Sequence, residues 1–215
     1  MIAGESRESV DQMVAAEHAE LVALARDLPP DKWRTPSLCA GWTVGDVLIH
    51  VADHVHRTPA GAFGALAQGM LSPSRAAEKV VTRHRGDTTA RVVTWLCEPV
   101  RSPSIVQLSE LLIHQQDIRR AVDAPREIAA PRLSACLDFA LSRKGGIAVA
   151  GGRHRAAGLA FVATDVAWSA GSGMSVQGRA EAILMAVNGR AVATRELSGD
   201  GVATLALRCP SPTRA

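Results

Sequence analysis

Apolar residues recur at helical spacing from the first legible segment onward. Val10, Met13, Val14, Leu21, Leu24 and Leu28 fall on one face of a helix predicted over residues 10–28. Ser9 with Gln12 three residues later has the form of a capping box, and Pro29-Pro30 stops the helix. Residues 31–42 are a turn-rich loop carrying two tryptophans. Thr43 with Asp46 then opens a second helix with Val44, Val47, Leu48 and Val51 inside, ending at His56 or Arg57 before Thr58-Pro59. Residues 74–85 and 88–97 have helical composition, separated by Gly86-Asp87, and read as two short helices or one kinked helix. The central helix lies within residues 103–122, with Ser104 and Gln107 as another capping box and Pro125 just past its end. Residues 131–143 form a last helix, with Pro131 in its first turn.

After Lys144 the character of the chain changes. Residues 145–152 are rich in Gly and Ala, as a linker is. Residues 158–164 are a β-like run, 165–173 a turn-rich loop with Trp168, and 174–176 a short strand. A helix over 178–188 ends at Gly189, and 202–207 reads as a final strand. The pattern predicts a mainly α protein: a helical domain in residues 1–144, then a small α+β domain in 145–215 whose only helix covers one face of a short sheet.

Composition narrows the picture. The 215 residues, 47% hydrophobic, give enough chain for a substantial core in one large domain or two modest ones. A net charge of +3, with scattered arginines and few lysines, gives no basis for a nucleic-acid or membrane partner. No apolar run approaches the roughly 20 residues that cross a bilayer. The first residues lack the apolar core of a signal peptide, so a cytoplasmic protein is expected. Cys39, Cys97, Cys136 and Cys209 lie far apart without a C-x-x-C pair, which predicts free, mostly buried thiols.

Candidate chemistry concentrates in the central helix. Glu110, His114 and Asp117 share one row at about 100° per residue. Val106 and Ile113 flank that row on one side, Leu111 and Ile118 on the other. A carboxylate and an imidazole within an apolar face are costly to bury unless paired or bound to metal. His50 stands in a similar setting on the second helix. Two imidazoles and one carboxylate are the three-ligand set of a catalytic zinc site with an open position. Iron(II) or another divalent transition metal such as nickel takes the same set. Asp117 or Asp53 would accept the second N–H of a ligating imidazole. His54 shares a face with His50, yet it and His56 are expected to be solvated or behind the ligands, and His18 to be a partly buried helix histidine. The competing reading is a buried Glu–His ion pair that only packs the bundle. No H-E-x-x-H, P-loop, G-x-S-x-G or G-x-G-x-x-G occurs.

The stretches TPSLCAGWTVGDVLIHV, ELLIHQQDIRRAV and GLAFVATDVAWSAGSG, with the later VQGRAEAILMAVNGR and ELSGDGVATL, resemble the mycothiol-dependent maleylpyruvate isomerase family. The resemblance covers both ends of the chain and is most specific around Cys39–His50. It implies a DinB-like four-helix bundle followed by a small α+β domain. It also implies zinc held by His50, Glu110 and His114, with the thiol of mycothiol at the open position. Metal ligation favours thiolate, which in the isomerase adds to the double bond of maleylpyruvate, allows rotation and leaves. In transferase-like relatives it stays attached as an S-conjugate. The implied substrate is a small, acidic electrophile. Arg119, Arg120 and Arg190 are candidates for binding it or the thiol, against a surface or structural role for each. Trp42 and Trp168 are either cleft-lining or core residues. Ala40 and Gln115 stand where relatives often have Pro and Gly, and Gln115 is expected to alter access to the adjacent ligand. Two other functions stay open: a hydrolase in which the metal activates water, and a non-catalytic metal-binding sensor or stress module.

Overall fold

The computed structural model describes residues 8–57, 73–145 and 151–209. Its contacts divide the chain into two compact units, Met1–Pro125 and Arg126–Ala215. The first unit is helical: α1 Val10–Asp27, a 3₁₀ turn Lys32–Arg34, α2 Val44–His56, α3 Pro73–His84, α4 Thr89–Leu96 and α5 Ile105–Val122. Helices α1 and α2 pack on α5, while α3 and α4 pack on α2 and α4 also meets α1. The result is a four-helix bundle whose third member is broken into α3 and α4.

The expected helix starts are present. Ser9 and Gln12 form a reciprocal capping box, as do Thr43 and Asp46. At α5 only one arm forms: Ser104 accepts from the Gln107 backbone, while the Gln107 side chain goes elsewhere. The core is built from Met13, Val14, Leu21 and Leu24 of α1 and Val47, Leu48, Val51 and Val55 of α2. Leu108, Leu111, Leu112 and Ile118 of α5 complete it. Each such side chain contributes about 1.5–3 kcal/mol on burial. This apolar frame pins the rotation of α2 and α5, and hence the faces carrying His50 and Glu110. Arg85 donates to the buried Asp46 at 2.9 Å, tying the residues after α3 to the first turn of α2.

The second unit contains α6 Ala130–Leu141, α7 Gly152–Arg155, β1 Leu159–Ala163, β2 Ser169–Gly171 and β3 Met174–Gly178. It closes with α8 Ala180–Val187, a 3₁₀ turn Ala191–Glu196 and α9 Val202–Arg208. The sheet order is β2-β1-β3, with β1 antiparallel to β2 and parallel to β3. Leu159, Phe161 and Ala163 alternate inward along β1, and α8 packs on β1 and β3. Gly171 has φ +84°, and a Cβ there would stand 2.2 Å from the Leu159 carbonyl oxygen, so the turn after β2 requires glycine.

Four expectations are corrected. The division falls at Pro125/Arg126 rather than after 144, because α6 packs on α7 and α8 and so joins the second unit. Residues 202–207 are helical: Gly201, Leu205 and Cys209 are buried at a spacing of four, not two. The predicted loop at 165–173 contains β2, whose three residues are too short to show alternation. Helix α8 is not the second unit's only helix. The expected break at Thr58-Pro59 lies outside the described residues, as do residues 146–150 of the expected linker. Among the described residues no helix is long and apolar enough to cross a membrane.

Candidate functional site

Packing of α2 on α5 brings His50 against Glu110 and His114. The His50 Nε2 lies 3.4 Å from Glu110 Oε2, and His114 Nε2 lies 3.3 Å from the same oxygen. The two rings meet edge to face at 4.8 Å between centroids. One ligand atom from each of the three residues lies within 4.8 Å of those of the others. Their side chains are only 12, 14 and 12% exposed, so these polar atoms converge in a largely dry place.

A second layer holds His114. Asp117, fully buried, accepts from His114 Nδ1 at 3.0 Å and from the Cys39 thiol at 3.0 Å. Cys39 Sγ is itself 3.6 Å from His114 Nδ1. Of the two expected orienting carboxylates Asp117 has this place, whereas Asp53 pairs with Arg57 on α2. Cys39 was not legible as part of the site, because only the fold of its loop brings it there. Gly41, with φ +78°, closes a tight turn in which Trp42 N–H donates to the Cys39 carbonyl at 3.0 Å. The Leu38 N–H donates to the Asp117 carbonyl and fastens the turn to α5. Trp42 lies 5.2 Å from His50 between ring centroids, and its Nε1–H donates to Glu78 at 2.7 Å. It thus forms a wall of the site. Trp168, 9% exposed, donates to Asp138 within the second unit.

Electrostatics separate the three central groups. Burial pushes His50 down to about 4, only partly offset by Glu110, so its imidazole is neutral at ordinary pH. Burial alone would raise Glu110, but His54, His114 and His50 outweigh it and hold the carboxyl well below the usual range. Burial alone would lower His114; the Cys39 sulfur, Asp117 and Glu110 outweigh it and hold the imidazole well above its ordinary value. The site therefore holds a neutral imidazole at His50, a carboxylate at Glu110 whose charged form is favoured, and an imidazole at His114 whose protonated form is favoured.

The remaining candidates fall elsewhere. His56 Nε2 is 2.7 Å from the Glu98 carbonyl and His18 Nε2 is 2.7 Å from the Leu96 carbonyl, outside the cluster. His54 lies beside it, 6.0 Å from His50 between centroids. Arg119 donates to Gln115 and to the Ala124 carbonyl, which closes the C-terminal end of α5. Arg190 belongs to the second unit and donates to the Asn188 carbonyl. Gln115 turns away from this cluster: fully buried, it donates to Glu17 of α1 at 2.8 Å.

Residues 14–119 match the model of the mycothiol maleylpyruvate isomerase N-terminal domain. Among solved structures the chain is similar to the mycothiol-dependent maleylpyruvate isomerase, at 13% identity and TM-score 0.55. The likeness covers 98% of this chain and 97% of that one. A histidine-to-alanine mutant of the same enzyme aligns over the same shares, at 13% identity and TM-score 0.56. No curated protein matches the chain. At such identity the structural likeness is one of fold, and the sequence match lies over the helices that carry His50, Glu110 and His114. On these grounds the helical unit of the chain, through residues 14–119, belongs to the mycothiol maleylpyruvate isomerase N-terminal domain family.

Proposed function

We propose that the chain is a zinc- and thiol-dependent isomerase or S-transferase acting on a small, acidic electrophile, with mycothiol as the thiol. The observation that carries this reading is the spacing of the three donor atoms. Four zinc bonds of about 2.0–2.1 Å in tetrahedral array set neighbouring donors about 3.3–3.4 Å apart. The separations from Glu110 Oε2 to the two imidazole Nε2 atoms are 3.3 and 3.4 Å. One neutral imidazole, a carboxylate and an imidazole that becomes neutral on losing a proton suit zinc or another divalent transition metal.

His50, Glu110 and His114 would hold the ion, which would supply Lewis acidity that favours thiolate over thiol at the fourth position. Each residue of the chain contributes something definite. Glu110 offsets the positive charge in a poorly solvated place, where it counts for more than in water. Asp117 keeps the His114 ring turned so that Nε2 faces Glu110. Leu111 and Ile113, both buried, exclude water from the flanks of α5. The thiol and the reaction class come from the family: reversible thiol addition to a conjugated double bond isomerises it, and net addition yields an S-conjugate.

The test is metal content per chain in tag-free protein, followed by incubation with mycothiol and maleylpyruvate. About one zinc per chain and isomerisation that requires the thiol are expected. Zinc without turnover would favour a sensor, and ester or amide cleavage without thiol would favour a hydrolase. No metal after reconstitution at neutral pH would leave a packed ion pair.

Zinc uptake also has a proton signature. The neighbours of His114 favour its protonated form without metal, and it must be neutral to ligate. Binding at pH 7 is expected to release about one proton. Affinity should rise about tenfold per pH unit between the lowered value of His50 and the raised value of His114. Calorimetry in two buffers of different ionisation enthalpy measures the release; none would mean that His114 is not a ligand.

A further inference from the structure

His54 is a third imidazole at the site, and its partners fix its chemistry. Gln107 Nε2 donates to the His54 backbone carbonyl at 3.1 Å, and Gln107 Oε1 lies 2.9 Å from His54 Nδ1. The opposite amide orientation would set two carbonyl oxygens against each other. Gln107 Oε1 is therefore an acceptor, and His54 Nδ1 must carry the hydrogen. In the neutral ring this leaves Nε2 with a free lone pair, and Nε2 makes no hydrogen bond to any described residue. Gln107 is 6% exposed, so the clamp is buried. It also explains the half-made capping box of α5: the side chain that would close it is committed to His54.

Position completes the case. His54 stands one turn after His50 on α2, and Gln107 one turn before Glu110 on α5, so the clamp borders the ligand cluster. The His54 ring lies 6.0 Å between centroids from the ring of His50, which itself meets Glu110. His54 is nonetheless no part of the converging donor set. A thiol arriving at this site must part with its proton, and the three convergent donor atoms are already committed to one another. His54 Nε2 is an adjacent lone pair held ready and unused.

We propose that His54 is a catalytic residue, the acceptor for the S–H proton of the incoming thiol, and that Gln107 is its positioning residue. The proposal rests on the thiol-dependent reading above. The S–H bond breaks, its electron pair stays on sulfur, and the proton bonds to His54 Nε2. In isomerisation the proton returns to sulfur when the thiol departs. In net addition it passes to the carbon beside the one that sulfur attacks, so the same residue serves a transferase.

The experiment combines a tautomer measurement with kinetics on full-length, zinc-loaded protein. Long-range proton–nitrogen NMR, assigned with His54→Gln, is expected to show the Nδ1–H tautomer at His54 in wild type and a mixture in Gln107→Leu. Glutamine at 54 can accept a hydrogen bond but cannot take a proton. With mycothiol and maleylpyruvate, His54→Gln should lose about a hundredfold or more in kcat, with zinc content and Tm unchanged. Gln107→Leu should lose less, with zinc content also unchanged. An Nε2–H tautomer in wild type would overturn the proposal, as would a rate in His54→Gln within about threefold of wild type. Those outcomes with zinc still bound leave the metal reading standing. A wild type that binds no zinc overturns that reading and this proposal together.

Discussion

His114→Ala is expected to lose stoichiometric zinc and, with it, thiol-dependent turnover. His114 supplies one of three donor atoms, and its Nε2 lies 3.3 Å from Glu110 Oε2. Removing even an outer partner of a metal ligand costs about 10–100-fold in affinity, so loss of the ligand itself should exceed about a hundredfold. Elemental analysis after dialysis, with circular dichroism to check the fold, measures this. The substitution separates the two readings that the residues allow. A packed ion pair and a metal centre both lose stability when His114 is removed. It leaves Glu110 and Asp117 buried without their shared cation, at a cost of roughly 3–5 kcal/mol in the metal-free protein. Only a metal centre also loses an ion. Zinc retained at the wild-type level would remove His114 from the ligand set, and with it the proposed mechanism.

Asp117→Asn should have the second largest effect and act through His114. The carboxylate is fully buried and accepts from both His114 and Cys39 at 3.0 Å. Asparagine keeps the shape and one acceptor but removes the negative charge. Zinc affinity is expected to fall about 10–100-fold, because the imidazole becomes a weaker donor and its orientation less certain. A second consequence has a definite sign. Asp117 is among the groups that keep His114 protonated without metal, so fewer protons should be released per zinc bound at pH 7 than in wild type. Calorimetry across buffers reads both quantities. Unchanged affinity and unchanged proton release would make Asp117 a packing residue only.

The site was unevenly legible in the sequence. Glu110 and His114 stand out because two polar residues four apart on an apolar helical face must be paired or ligated. His50 stands out for the same reason. That the three share one site was expected from the donor set and from the family resemblance; the contact itself depends on which faces of α2 and α5 the core leaves together. Cys39 and Trp42 reach the site through a turn set by Gly41, and local pattern carries no signal for such a contact. Gln107 misled more specifically: Ser104 and Gln107 have the form of a capping box, yet the amide side chain is committed 53 residues away in the chain, at His54, where no local rule points.

The sequence by itself determined the helices of the first unit with the capping boxes of α1 and α2, and which polar residues had to be explained. Local spacing, turn chemistry and the cost of burying charge suffice for these. Tertiary structure decided the rest. It placed α6 with the second unit, turned residues 202–207 into a helix and directed Gln115 to Glu17. It also brought donor atoms of His50, Glu110 and His114 within 4.8 Å of one another and left His54 beside them with its Nδ1 turned to Gln107. Apart from the helix at 202–207, these rest on contacts between residues distant in sequence, settled by how the apolar faces pack and not by periodicity along the chain.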